Sequence, residues 1–195
     1  RLAHNTPLVY QSFDWAHGVY LAATMGSEKT AAAEGAGGIR RDPVAMLPFC
    51  GYNMADYWSH WIEMKRLAPN APKIFRVNWF RKDENGHFMW PGYGDNMRVL
   101  KWIIDRVHNR VGAQEGPVGL MPYYKDLDFT GLDYTEEDFK ELMAIDKAEG
   151  LKDTEDQQKY FRPFAEQQRL PAEFPAELKL LSLRFERSEE VWKPV

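Results

Sequence analysis

The chain has 195 residues, of which 44% are hydrophobic and 28% are charged, so it is long enough for one globular domain with its own core. Seven tryptophans, nine tyrosines and eleven phenylalanines exclude a disordered or low-complexity chain. The formal net charge of −4 argues against a binder of duplex nucleic acid that relies on a basic surface. The single cysteine, Cys50, excludes a disulfide framework within the chain. We expect a cytoplasmic protein, because no apolar stretch is long enough to span a bilayer and no signal core follows the first residues.

The first elements in chain order are a short strand over residues 8–10 and a helix over residues 14–25. The next thirteen residues, 26–38, are almost all small and would bury little surface. This composition predicts either a plain surface loop or a lid that orders when a ligand binds.

An aromatic-rich helix is predicted to begin after Asn53, which is a plausible N-cap, and to end near Pro69. Its large apolar side chains share one face and are expected to pack in the core. They are Met54, Tyr57, Trp58, Trp61 and Ile62.

The clearest predicted β-hairpin spans residues 73–90, with strands over 74–80 and 87–90 joined by a turn at Asn85-Gly86. Asp95 or Asn96 is then expected to cap a further helix. The predicted buried stripe of that helix consists of Leu100, Ile103, Ile104 and Val107.

Beyond residue 122 the chain becomes more polar and helical. Residues 135–138 form a near capping box, a second helix covers residues 153–168 with Pro163 kinking or splitting it, and a third starts at Pro175. The whole pattern predicts a mixed α/β fold in which a hairpin and short strands pack with helices, followed by a helical C-terminal tail.

Two familiar motifs are incomplete. Residues 25–30 end in Lys-Thr, but Glu28 stands where a phosphate-binding loop requires glycine before the lysine. Residues 126–137 approach a calcium loop, yet Thr130 replaces a usual ligand and no entering helix is predicted; calcium binding is kept as a minor alternative. The five histidines show no paired spacing for a metal.

Aromatic residues concentrate between residues 78 and 96, around the predicted hairpin and the Pro-Gly-Tyr-Gly segment that follows it. A planar base slotted between such rings gains about 1–3 kcal/mol per stack. Asn96 and backbone groups could then read the edge of the base. The competing interpretation is that these rings simply pack the core.

The same residues carry a family likeness. The stretches over 75–83 (FRVNWFRKD) and 88–100 (FMWPGYGDNMRVL) strongly resemble GTP-dependent phosphoenolpyruvate carboxykinases. Residues 31–34 (AAAE) and 42–53 (DPVAMLPFCGYN) agree in order. The likeness runs through the whole chain, is weakest after Tyr134, and covers roughly the last third of such an enzyme.

The resemblance implies a guanine nucleotide site within residues 78–96. Its implied binding residues are Trp79, Phe80, Phe88 and Tyr93 as aromatic walls, with Asn96 and the backbone of Gly94 and Asp95 contacting the base. Tyr93 stands where many members have phenylalanine, and Asp95 replaces the commoner glutamate.

The resemblance also implies a mobile lid over residues 27–38, with Glu34 as its anchoring acid. Gly26, just before it, stands where animal members have arginine. Arg1 occupies the place of a family arginine that touches the nucleotide phosphates. The catalytic residues that the resemblance implies in this chain are therefore Arg1 and Glu34. Residues 1–122 would form the C-terminal part of the nucleotide-binding domain, and residues 123–195 a mostly helical segment of the same domain.

The implied activity converts oxaloacetate and GTP to phosphoenolpyruvate, GDP and carbon dioxide, a step of gluconeogenesis. The resemblance implies that Mn2+, with Mg2+ accompanying the nucleotide, is held by residues upstream of this chain, where the phosphate loop would also lie. No metal ligands are therefore expected within this chain, and the chain alone is expected to be inactive. The implied partners are GTP or GDP and oxaloacetate or phosphoenolpyruvate, with no nucleic acid or membrane, in a full-length monomer. The alternative is a non-catalytic aromatic-rich module that docks a protein through the Trp58/Trp61 helix or the hairpin.

Overall fold

The computed structural model describes residues 6–28 and 39–195. In chain order the elements are β1 (Val9–Gln11), α1 (Trp15–Ala23), β2 (Gly26–Glu28), β3 (Ile39–Arg41), α2 (Met54–Leu67), β4 (Phe75–Val77), α3 (Asn96–Val107), β5 (Gln114–Gly116), β6 (Gly119–Met121), α4 (Glu136–Met143), β7 (Ile145–Asp146), α5 (Lys147–Glu166), α6 (Glu173–Arg187) and β8 (Val191–Trp192). The predicted mixed α/β class is confirmed. None of the helices in this part of the chain is long and apolar enough to cross a lipid bilayer.

The largest sheet has the strand order β4-β1-β6-β5, and each neighbouring pair is antiparallel. Strand β1 lies between its partners, with Val9 opposite Val77 and Gln11 opposite both Phe75 and Leu120. Gly119 allows the close approach of β6, because a Cβ there would lie 2.5 Å from the carbonyl oxygen of Gln11. The remaining strands form two small sheets, β2 with β3 and β7 with β8.

Side-chain caps begin several of the helices. The Asn53 carboxamide oxygen accepts a hydrogen bond from the Ala55 backbone N–H at 2.9 Å. Thr135 and Asp138 form a reciprocal capping box at the start of α4, with the Asp138 carboxylate 2.8 Å from the Thr135 backbone nitrogen. Both predicted caps are therefore confirmed, since capping depends on residues close together in sequence.

Helices α1, α2, α5 and α6 share an aromatic core around Trp58. The Trp58 ring lies 5.6 Å from the Phe161 ring and 5.5 Å from the Phe174 ring, and Phe174 in turn meets Tyr20 edge to face at 5.6 Å. The helical C-terminal tail thus packs on the first two helices. Within this tail, α5 starts six residues earlier than predicted and is continuous through Pro163. Of the two predicted effects of Pro163, a kink or a split, the split is therefore wrong.

The predicted hairpin over residues 73–90 is wrong in its extent. Strand β4 pairs with β1, and an Asx turn at Asn78 ends strand β4. In this turn the Asn78 carboxamide oxygen accepts a hydrogen bond from the Phe80 N–H at 3.1 Å. The Asn78 backbone N–H donates to the Leu8 carbonyl oxygen at 2.8 Å. Only a short ribbon follows over residues 81–89, with one bridged pair, Lys82 and Phe88. Its turn does contain Gly86 at φ +84°, as the Asn-Gly signal predicted.

The predicted buried stripe of α3 is wrong for Leu100, Ile104 and Val107, which are exposed, whereas Ile103 does pack against the core. The fully buried apolar residues of the helix are Val99 and Trp102. Both stripes repeat at helical spacing, so the sequence pattern does not choose between them. Trp102 decides the orientation, because its ring packs edge to face on Phe75 of β4 at 5.9 Å and buries more apolar area than an isoleucine would.

Candidate nucleotide-binding site

The predicted site lies on the ribbon over residues 81–89 and the turn that follows it. The ribbon is anchored by Arg81, whose guanidinium donates to the carbonyl oxygens of Leu142 at 2.9 Å and Ala144 at 2.7 Å. At its tip, the backbone N–H groups of His87 and Asn85 donate to the Asp83 carboxylate, and these hydrogen bonds lower the pKa of that carboxyl. Arg81 therefore ties the base of the ribbon to the end of α4, and the Asp83 carboxylate closes the turn at its tip.

Two of the predicted aromatic walls, one on this ribbon and one on the residue just before it, meet each other. Phe80 and Phe88 are 42% and 56% exposed, and their ring centroids lie 6.2 Å apart with the planes at 63°. The Lys82 ammonium lies 5.1 Å from the centroid of the Phe88 ring. The pair presents apolar faces to solvent beside a positive charge, so it is not core packing, the competing interpretation of this sequence.

The other two predicted walls lie apart from this pair. Tyr93 is 97% exposed on the 3-10 turn Tyr93–Asp95, and Trp79 is half-buried against the core. Gly92 enters that turn at φ +90°, a conformation that only glycine adopts without strain. Among the described residues no ring contact joins Tyr93 or Trp79 to the phenylalanine pair, and Tyr93 stands on a separate segment from Phe80 and Phe88.

Asn96 is oriented by the core. Its carboxamide oxygen accepts a hydrogen bond from the indole N–H of buried Trp90 at 2.9 Å. Within the described residues the Asn96 amide nitrogen has no hydrogen-bond partner, so it can donate to an acceptor such as the carbonyl edge of a purine. This contact spans six residues, from Trp90 to Asn96, and the sequence carries no signal of it.

Asp95 occupies the N-cap position of α3 but does not cap it. Its carboxylate instead accepts from the Nε of Arg98 at 2.9 Å. This pair is spaced three residues apart at the start of α3, a spacing at which side chains of opposite charge on a helix meet, so the sequence does carry a signal for it.

Several predicted residues lie outside the described part of the chain. Arg1 and Glu34 belong to this group, as do residues 29–38 of the predicted lid. The first two lid residues, 27 and 28, form part of β2 and pair with β3. At the end of β3, Arg41 donates to the Thr24 carbonyl at 2.8 Å and to the Asp156 carboxylate at 2.6 Å, which ties the base of this segment to α5.

Within residues 6–28 and 39–195, no group of three or more histidine, cysteine, aspartate or glutamate side chains could hold a metal ion. The calcium-like loop is held internally instead: Arg98 donates to the carbonyl oxygens of Asp128 and Thr130, and Asp126 accepts from the Tyr123 backbone N–H at 3.3 Å. Arg98 thus brings a positive charge against this loop, 3.8 Å from the Asp128 carboxylate, one of the oxygen groups that a calcium ion would need.

Of the two surfaces that the protein-docking alternative would use, the one on helix α2 is not available to a partner. Trp58 is fully buried, and the Trp61 backbone carbonyl accepts from the indole of Trp15 at 2.7 Å, so the Trp58/Trp61 face of α2 is part of the core. Two concavities among the described residues lie elsewhere, one of about 550 Å³ between α5 and α6 and one of about 620 Å³ beside the loop over residues 124–134. Neither includes the aromatic pair.

Exposed aromatic rings bind nucleobases by stacking, and here the amide of Asn96, which Trp90 orients, follows such rings in the sequence. Comparison with known proteins identifies the family. Residues 1–184 match the family described as phosphoenolpyruvate carboxykinase C-terminal P-loop domain, and the chain belongs to this family.

Curated relatives bear the name phosphoenolpyruvate carboxykinase [GTP]. The relative from Anaeromyxobacter sp. (strain K) is 47% identical over 188 residues, which are 96% of this chain and 32% of the relative. The relative from Thermoplasma volcanium is 51% identical over 162 residues, 83% of this chain and 27% of its own length. The relative from Treponema pallidum (strain Nichols) is 47% identical over 194 residues, 97% of this chain and 31% of its own length. The chain thus spans about a third of the length of these relatives.

Proposed function

We propose that this chain is the guanine-nucleotide-binding segment of a GTP-dependent phosphoenolpyruvate carboxykinase, which converts oxaloacetate and GTP to phosphoenolpyruvate, GDP and carbon dioxide. The proposal rests on family membership and on one structural observation. Phe80 and Phe88 form a solvent-exposed aromatic pair, and Asn96, eight residues after Phe88 in the sequence, is oriented by buried Trp90.

Base binding would use these residues in separate roles. The purine would stack on Phe80 or Phe88, with Tyr93 and Trp79 completing the apolar surroundings, and each stack contributes about 1–3 kcal/mol. The Asn96 amide nitrogen would donate to the guanine carbonyl, while the backbone of Gly94 and Asp95 would meet the remaining edge. Adenine presents an amino group where guanine has this carbonyl, so two donors would face each other and guanine would be preferred.

The remaining roles are proposals for residues outside the described part of the chain. Glu34 would anchor a lid over residues 27–38 that excludes water from the reactive enolate, and Arg1 would contact the nucleotide phosphates. The described residues do not fit a metal site. We therefore propose that the divalent metals of the reaction, Mn2+ and Mg2+, are held by other residues.

Nucleotide titration followed by tryptophan fluorescence tests the base-binding role. We expect GDP and GTP to quench the fluorescence of the 195-residue chain in the millimolar range or below, and ATP to do so more weakly. Phe88→Ala should raise the Kd for GDP by about tenfold or more, because one stacking face is lost. Its melting temperature should change little, since the Phe88 ring is already exposed.

Phe49→Ala is the matched control, because Phe49 is also an exposed phenylalanine but lies outside the ribbon and the following turn. It should leave the Kd for GDP unchanged. Equal quenching by GDP and ATP, or equal GDP affinity of Phe88→Ala and the unmodified chain, would contradict the proposed site. Absence of any nucleotide response would instead favour a protein-docking role for the aromatic pair.

A further inference from the structure

One arginine joins the proposed base-reading turn to a separate loop. Arg98 lies on the first turn of α3, and 21% of its side chain is exposed. Its guanidinium donates to the Asp95 carboxylate at 2.9 Å, to the Asp128 carbonyl, and to the Thr130 carbonyl at 3.0 Å. The planar fork of an arginine can make these bonds at once, whereas the single ammonium of a lysine cannot reproduce their geometry.

The loop that receives Arg98 is rigid. Within it the Asp128 carboxylate accepts from the Thr130 backbone N–H at 2.9 Å. The Phe129 ring stacks on both Tyr124 and Tyr134, with centroids 4.9 Å and 5.2 Å away. Arg98 therefore connects the turn to a fixed support rather than to a loose surface segment.

The turn needs such a support. Glycines flank Tyr93 on both sides, and glycine is the residue whose backbone loses most freedom when it is ordered. Asp95 holds a position at which aspartate commonly caps a helix, yet its side chain makes no cap hydrogen bond and bonds Arg98 instead. The Arg98 contact thus restrains a backbone that the sequence would otherwise leave loose.

We propose that Arg98 is a positioning residue for guanine recognition: it fixes the Tyr93–Asp95 turn so that its backbone and the adjoining Asn96 meet the edge of the base. This inference rests on the proposed function. Its consequence is selective, because Phe80 and Phe88 lie on the ribbon and do not depend on Arg98. Loss of Arg98 should therefore reduce discrimination between bases while stacking persists.

The test compares GDP and ADP binding to the 195-residue chain and its variants by tryptophan fluorescence. Arg98→Met should raise the Kd for GDP by about tenfold, the scale of one or two lost edge hydrogen bonds, and leave the Kd for ADP within about twofold. Arg98→Lys should recover only part of the preference.

Arg106→Met is the matched control. Arg106 lies on the same helix and also links it to other segments, donating to the Gln11 carboxamide at 3.1 Å and the Val111 carbonyl at 2.9 Å. It should lower stability without changing the ratio of the two dissociation constants. A purely structural role for Arg98 predicts that both variants behave alike.

The outcomes separate the two proposals. If the unmodified chain prefers GDP and Arg98→Met keeps that preference, the role of Arg98 is overturned and the proposed function stands. If the unmodified chain shows no preference for GDP, both are overturned. Should Arg98→Met fail to fold, Asp95→Ala removes the carboxylate that accepts from Arg98 while leaving the backbone, and an unchanged GDP preference in that variant overturns the positioning role.

Discussion

Acidification should weaken the fold through His17, a buried residue of α1. The His17 ring stacks on Phe13 at 5.0 Å, and its Nδ1 accepts a hydrogen bond from the Phe13 backbone N–H at 3.1 Å. The proton of the neutral ring therefore sits on Nε2. A second proton would have to enter at Nδ1, where it breaks this bond. Burial, and then the positive charge of Arg184, lower the pKa of His17 to about 4, although Asp14 acts in the opposite direction.

The size of the effect follows from this pKa. An unfolded chain protonates its histidine near pH 6.5, so between pH 6.5 and 4 the unfolded state binds more protons than the folded state. The contribution of neutral His17 is complete above pH 6.5 and is lost as the pH falls. It amounts to about 2 kcal/mol lost at pH 5 and about 3 kcal/mol lost below pH 4.

Urea unfolding at pH 7 and pH 5 measures this loss. His17→Asn is the control, because its carboxamide oxygen can still accept from the Phe13 N–H but does not titrate. The variant will be less stable at both pH values, yet the unmodified chain should lose about 2 kcal/mol more than the variant between them. Carboxylates titrate in both proteins and cancel in the comparison. Equal losses in the two proteins would refute the argument.

Two further changes test the packing and the caps. Gly150→Ala in α5 should lower the free energy of unfolding by about 1–3 kcal/mol, because the new Cβ would lie 2.3 Å from the Phe185 ring. This exchange usually stabilises a helix, so the expected sign is opposite to the ordinary one. Urea unfolding measures the change, and an unchanged or higher stability would show that the ring moves aside freely. Thr135→Ala should lower the free energy of unfolding by about 1 kcal/mol by removing the N-cap of α4, whereas Thr135→Ser should keep the cap. Thermal melts followed by circular dichroism measure the difference, and equal melting temperatures of the two variants would contradict the role of the cap.

The features that the sequence predicted well depend on neighbouring residues. Asn53 and Thr135 were identified as caps because capping is decided within three residues, and Gly86 was identified as a turn glycine for the same reason. The mixed α/β class followed from short β-rich runs between helical periods. Local chemistry and the final fold agree at these positions.

The features that it predicted wrongly depend on distant partners. Strand β4 pairs with β1, far away in the chain, and Asn78 ends it through bonds to Leu8 and Phe80. Periodicity indicated a return strand next to β4 because it contains no information about β1. The stripe on α3 was misassigned for a related reason, since only the contact between Trp102 and Phe75 selects one apolar face over the other.

In the candidate site, too, the sequence predicted local features but not those that depend on distant contacts. Sequence reasoning located the aromatic residues but could not separate those that fill the core from those that face solvent, because both kinds are equally apolar. In the structure, Trp90 is buried while Phe80 and Phe88 are exposed, and the two groups alternate within a few positions. Only the folded structure, in which Phe80 is 42% exposed and Phe88 56% exposed, identifies these two rings as surface residues. The hydrogen bond from Trp90 to Asn96 then links the core to the site, so a change in core packing at Trp90 would shift the amide that we propose reads the base.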